Sequence, residues 1–146
     1  MSLISDSTKL KVSSVLNKEM RTYGKDRLVD RNPETCWNSD TGLPQSILID
    51  FGAAVTPSSL RITFQGGFVG LTGQLSVALE TDLTCYHPIN QVYFDDINLQ
   101  QNAQISLDQV PASLLEQASG INRLKITFTE SSDFFGRITI YDLDIV

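Results

Sequence analysis

The sequence predicts an all-β jelly-roll sandwich of about eight strands, on three observations. Apolar and polar residues alternate with a period of two in several short runs. Glycine, proline and asparagine fall between those runs at intervals typical of antiparallel sandwiches and barrels. Strand and helix signals do not take turns along the chain, which argues against a doubly wound parallel sheet. At 146 residues, 41% of them hydrophobic and 19% charged, residues 1–146 are expected to fold as one domain around one core.

The expected strands are Ile47–Phe51, Leu60–Phe64, Gln74–Leu79, Gln91–Phe94, Arg123–Phe128 and Arg137–Ile145. Within them Leu60, Ile62 and Phe64 alternate with Arg61 and Thr63, and Leu124, Ile126 and Phe128 alternate with Arg123, Lys125 and Thr127. Such strands bury one face and wet the other. Turns are expected at Gly52 with Pro57, Gly66 with Gly67, Gly70 with Gly73, Pro88 with Asn90, and Gly120 with Asn122. Short helical turns are expected over Lys25–Val29 and over Pro111–Ala118, the second opened by its proline and stopped before Gly120.

Charge narrows the partners. The net charge is −6, but up to Arg31 seven basic residues face four acidic ones, a local excess of +3, and the remainder carries −9. Lys18, Arg21, Lys25, Arg27 and Arg31 have only Tyr23 among them, so the stacking aromatics of a nucleic-acid face are missing and no direct nucleic-acid partner is expected. The basic residues read first as a solvated edge opposite an acidic body, and such an edge can also steer an acidic protein partner. No run approaches the roughly 20 apolar residues of a membrane span, and the first residues lack the apolar stretch of a secretory signal. The chain is therefore expected to be soluble and to stay out of the secretory pathway, and no compact Lys/Arg-rich run marks a nuclear import signal. The two cysteines, Cys36 and Cys85, lie in no metal-ligand spacing and are expected as free thiols.

Catalysis has little to work with. His87, the single histidine, follows Cys85 by two residues, which puts both on one face if the segment is a strand; its neighbour Pro88 argues for a turn, and no glycine-rich elbow accompanies them. Asp95 and Asp96 are adjacent and read as a solvated loop. No catalytic residue and no enzyme activity are expected.

The stretch from Leu28 through Asp30-Arg31-Asn32-Pro33-Glu34-Thr35-Cys36-Trp37-Asn38-Ser39, followed by Ile47-Leu48-Ile49-Asp50-Phe51-Gly52, resembles the discoidin, or coagulation-factor type C, domain of the galactose-binding-like group. In that family an Asp-containing loop leads to Thr, any residue and Trp, and the next strand ends in Asp, an apolar residue and Gly. The residues agree on physical grounds: Asp30, Asn32 and Pro33 form turns, Thr35 can satisfy loop backbone, and Trp37 is an apolar plate with one donor. Secreted members clamp their termini with a disulfide, and neither end of this chain carries a cysteine. The Doc-type subunit of the anaphase-promoting complex shares that departure, and like it this chain reads as an intracellular recognition module.

With Phe64-Gln65-Gly66-Gly67-Phe68 and Asp133-Phe134-Phe135-Gly136-Arg137 added, the chain resembles an intracellular branch whose members associate with an orphan nuclear receptor. That resemblance implies a non-enzymatic adaptor that binds a nuclear receptor and represses its transcriptional activity, the alternative being a glycan-binding module. The expected partner surface is Gln65, Gly66, Gly67 and Phe68 on one loop with Phe134, Phe135 and Arg137 on another, the equal alternative being that both loops plug the end of the barrel with apolar mass. Gly66 and Gly67 permit positive φ, Phe68 would sit at the loop tip, one of Phe134 and Phe135 would enter the core if strand-like, and Arg137 would pair with Asp133. No cofactor is expected: Asp30 reads first as capping or bracing its loop, and a structural calcium is the alternative. The resemblance would place that ion at Asp30, Thr35 and Asp144, although the pattern best suited to calcium has Gly where this chain has Arg31.

Overall fold

The computed structural model describes residues 1–146. Nine strands form two antiparallel sheets packed face to face. In chain order the strands are β1 (Lys9–Val12), β2 (Trp37–Asn38), β3 (Gln45–Val55), β4 (Ser59–Phe64), β5 (Gly70–Leu79), β6 (Asp82–Tyr93), β7 (Gln100–Gln104), β8 (Ile121–Ser131) and β9 (Thr139–Ile145). One sheet has the order β1-β3-β8-β5-β6 and the other β2-β9-β4-β7. This is a two-sheet β-sandwich, the architecture that the alternation implied.

Each expected strand appears, most of them longer. Alternation marks where a strand buries one face, and it fades where the chain continues pairing outside the core, as β3 does from Gly52 to Val55. β1, β2 and β7 were missed. β7 reads Gln-Gln-Asn-Ala-Gln and carries no apolar alternation, because its pairing with β4 rests on backbone bonds at the sheet edge. Two expected turns are strand instead: Gly70 and Gly73 both lie in β5, and Pro88 and Asn90 lie in β6. Gly70 is there because a Cβ would overlap the Phe128 ring, so the strand needs a residue without a side chain at that crossing. Pro88 is tolerated because β6 is the sheet's edge strand.

The helical pieces are short. Lys25–Leu28 is one 3-10 turn, and α2 spans Ala112–Ala118. α2 ends with Ser119 in the left-handed region at φ 60°, followed by Gly120 at φ 129°, and the amides of both close onto the last-turn carbonyls. Leu16–Lys18, α1 (Met20–Tyr23) and Leu107–Gln109 complete the connections.

The sheets enclose a continuous core of Ile, Leu, Val and Phe. Phe64 sits at its centre, edge-on to Phe94 at 5.2 Å and to Phe128 at 5.9 Å between ring centres. Trp37 is 0% exposed, and its indole N–H donates to the Ser14 carbonyl at 3.0 Å, so it is core rather than a ligand platform. No helix is long and apolar enough to cross a membrane.

Candidate functional site

Three loops meet beside Thr139 at the start of β9. The first, Gln65–Val69, joins β4 to β5. Gln65 donates its N–H to the Thr139 carbonyl at 2.9 Å and accepts from the Phe68 amide at 3.0 Å, which closes the turn. Only Gly67, at φ 90°, uses the positive-φ freedom expected of the glycine pair. The second loop supplies the brace: Asp96 Oδ1 accepts from the Gly67 amide at 2.7 Å and from the Ser132 hydroxyl at 3.3 Å, while Asn98 Oδ1 accepts from the Gly66 amide. Asp96, read as merely solvated, therefore ties two loops together. A polar residue in an unpatterned loop gives no signal of such a cross-chain partner.

The third loop, Ser132–Ile138, carries Phe134 and Phe135. Neither enters the core: Phe134 is 94% and Phe135 60% exposed, and the rings meet edge to face at 5.3 Å and 89°. The condition for burying one of them, a strand, is not met: the segment is a turn, held by the Asp133 carbonyl accepting from Gly136 N–H at 3.0 Å. Arg137 Nε pairs with Asp133 Oδ2 at 3.1 Å as expected, and the same guanidinium lies 5.1 Å over the half-buried ring of Phe68. Burial pushes the Asp133 carboxyl upward, but bonds from the Arg137 side chain and backbone outweigh it and leave the group below its ordinary value. Phe68 is thus clamped rather than presented freely, and the exposed apolar surface belongs to the Phe134–Phe135 pair.

A fourth segment, Thr41–Pro44, backs that pair. Gly42 donates its N–H to the Phe135 carbonyl at 2.7 Å, and Leu43 is exposed beside Gly136. The segment is anchored by buried Gln45, whose oxygen accepts from Ser13 and Ser14 at 2.6 and 2.7 Å and whose amide donates to the carbonyls of Asp40 and Gly42. Every polar group of that amide is satisfied, so the loop end is stiff.

The residues expected to hold calcium do not form a cation shell. Asp30 Oδ2 accepts from the Thr35 hydroxyl at 2.6 Å and from Arg27 at 3.2 Å, and Arg31 spans Asp142 at 2.6 Å and Asp144 at 3.2 Å. Asp30 and Thr35 thus serve the loop, Asp144 serves a different ion pair, and guanidinium groups hold the oxygens a cation would need. No group of three or more His, Cys, Asp or Glu side chains is placed to hold a metal. Beside Arg31, a polar hollow of about 440 Å³ lies among Asn32, Thr63, Asn98 and Tyr141.

His87 is in β6 rather than a turn, paired with Val77, and its Nε2 is 4.0 Å from Cys85 Sγ. Cys85 is exposed on this edge strand, and both cysteines are free.

No family model matches the chain. A Danio rerio protein named nuclear receptor 2C2-associated protein is 42% identical over 145 residues, covering 99% of this chain and 94% of that protein. The Homo sapiens protein of the same name is 39% identical over 145 residues, covering 99% and 95%. The chain belongs to the nuclear receptor 2C2-associated protein family. Solved structures place the family's fold: an F5/8 type C domain from Bacteroides fragilis superposes with a TM-score of 0.77 at 12% identity, over 99% of this chain and 93% of that one. A chitosan-binding module from Paenibacillus gives 0.74 at 14%, over 100% and 98%. In this family member the loop end is an aromatic pair on a hydrogen-bonded frame.

Proposed function

We propose that this chain is a non-enzymatic adaptor that associates with a nuclear receptor and lowers its transcriptional output, acting in the nucleus or cytoplasm. The observation that carries the reading is full-length similarity to relatives whose name records association with nuclear receptor 2C2. The stiff loop end supports it. Phe134 and Phe135 are large, exposed and preorganised, and a rigid aromatic anchor binds with little ordering cost. Gln65, Gly66, Gly67, Phe68 and Arg137 frame that anchor. Repression would follow by steric competition for a receptor surface needed in dimerisation or coactivator docking. The absence of catalysis is part of the proposal; it is supported by the position of the single histidine, half-buried on an edge strand with only the Cys85 sulfur near its ring nitrogen.

The test is a pull-down on the immobilised ligand-binding domain of nuclear receptor 2C2, paired with a receptor-driven reporter. Wild-type protein should be retained and should reduce reporter output. The Phe134→Ala/Phe135→Ala double variant should do neither while melting at the wild-type temperature. Failure of the wild type to bind overturns the reading.

Glycan binding is the weaker alternative. The likeness to sugar-binding modules stands at 14–17% identity and carries the fold alone, and the chain's one Trp is buried. A glycan array separates the two.

A further inference from the structure

The sandwich has four sheet edges, and they differ. On one, β6 carries Pro88 and two register shifts against β5. At the end of β7, Asn90 donates its side-chain amide to the Gln104 carbonyl at 2.8 Å and accepts from the Ser106 amide at 2.9 Å. β2 is only two residues long. The remaining edge, β1, pairs with β3 in unbroken register.

The direction of its backbone groups follows from the ladder. Ser13 donates its N–H to the Ser46 carbonyl at 2.9 Å, so alternation assigns Lys11 and Lys9 to the set bonded to β3 and turns the N–H and C=O of Leu10 and Val12 outward. Those outward groups have no protein partner among the hydrogen bonds of loops and side chains. They face a groove of about 310 Å³ between β1 and α1, lined by Leu10, Val12, Val15 and the 60%-exposed Met20, with Lys11, Lys25 and a single carboxylate, Asp26, as its charged residues. Met20 is unbranched and adaptable, a side chain suited to covering an incoming apolar residue.

Charge selects the occupant. Lys9 and Lys11 stand on the outer face of the sheet, Lys125 lies two strands away in the same row through Leu48, and none of these or Lys25 enters an ion pair. Lysines on an edge strand ordinarily repel unwanted strands. The same lysines attract a strand that places carboxylates opposite them, since directly opposed residues of antiparallel strands share a face. We infer that β1 is a docking edge for an extended segment of a partner protein in which acidic and apolar residues alternate. The carboxylates lie beside Lys9 and Lys11, the apolar side chains enter the groove over Val12, Val15 and Met20, and the backbone bonds to Leu10 and Val12. This surface is formed by elements other than the aromatic loop end, and the inference does not depend on that site.

The test uses full-length protein and a fluorescein-labelled hexapeptide alternating glutamate and valine, read by fluorescence anisotropy. Two further peptides carry N-methyl groups on all the valines or on all the glutamates, because a strand presents only alternate amides to its neighbour. The unmethylated peptide should bind saturably, one methylated form should weaken by at least about ten-fold, and the other should stay within about three-fold of the parent. A lysine–valine peptide and the Lys11→Glu variant should each lose binding, whereas Phe134→Ala/Phe135→Ala should retain it. Overturning results are no binding of the parent peptide, equal behaviour of the two methylated forms, equal binding of the lysine peptide, or a wild-type dimer in sedimentation that Lys11→Glu dissolves, which would make a second copy the occupant.

Discussion

Arg31 and Asp142, 111 residues apart in the chain, meet at 2.6 Å between Nη1 and Oδ1, and the same guanidinium reaches Asp144 at 3.2 Å and the Leu143 carbonyl at 3.1 Å. This clamp closes the Asp-containing loop over β9. It also occupies the carboxylate that the resemblance would give to calcium.

Titration calorimetry with calcium at millimolar concentration is therefore expected to give no binding heat. Arg31→Ala should lower stability by about 1 kcal/mol, the size of a partly exposed ion pair with an added backbone bond. Arg31 holds φ 58°, so Arg31→Gly should cost less than Arg31→Ala, because glycine relieves a left-handed backbone. Thermal melts of the two variants decide the order.

Acid should unfold the protein through identifiable carboxylates. Burial pushes Asp30 upward, but hydrogen bonds from Thr35, the Asn32 backbone and Arg27 win and hold it below its ordinary value near 3.8; Asp133 is lowered likewise. A carboxylate with a depressed folded value stabilises the fold above its unfolded value, and the contribution disappears as pH falls through the folded one. The melting temperature should stay level down to about pH 5 and drop below about pH 4. Asp30→Asn should melt lower at neutral pH and show a shallower acid decline.

Gly136 holds the aromatic pair in place. It adopts φ 78°, and a Cβ there would come within 3.0 Å of the Gly42 backbone and 3.1 Å of Leu43. Gly136→Ala should destabilise by about 1–3 kcal/mol and reduce receptor retention together, because the backing segment must shift. Retention unchanged in a destabilised variant would separate the pair's position from its role.

The thiols should react unequally. Burial raises the Cys36 thiol above its ordinary value, whereas Cys85 stands exposed on β6. A disulfide reagent should label one cysteine quickly and one slowly, and Cys85→Ser should remove the fast phase.

Much of this was readable from composition and pattern. Alternation in Leu60–Phe64 and Arg123–Phe128 marks central strands because each lies with one face in the core, and turn residues at Gly66–Gly67 mark a real bend. The pairing of Arg137 with Asp133 was legible because the partners are four residues apart. Pro88 and Gly70 misled, since local chemistry cannot tell an edge strand or a crowded crossing from a turn.

What the sequence determined by itself is the period-two burial and hence the sandwich, a property each segment carries locally. Only tertiary structure decided that Phe134 and Phe135 both face solvent, that Asp96 and Asn98 brace the Gly66–Gly67 turn, that Arg31 claims Asp144, and that β1 keeps a bare edge beside unpaired lysines. Each of these depends on which distant segment lies alongside, and that is set by closing the two sheets around a shared core rather than by any stretch of neighbouring residues.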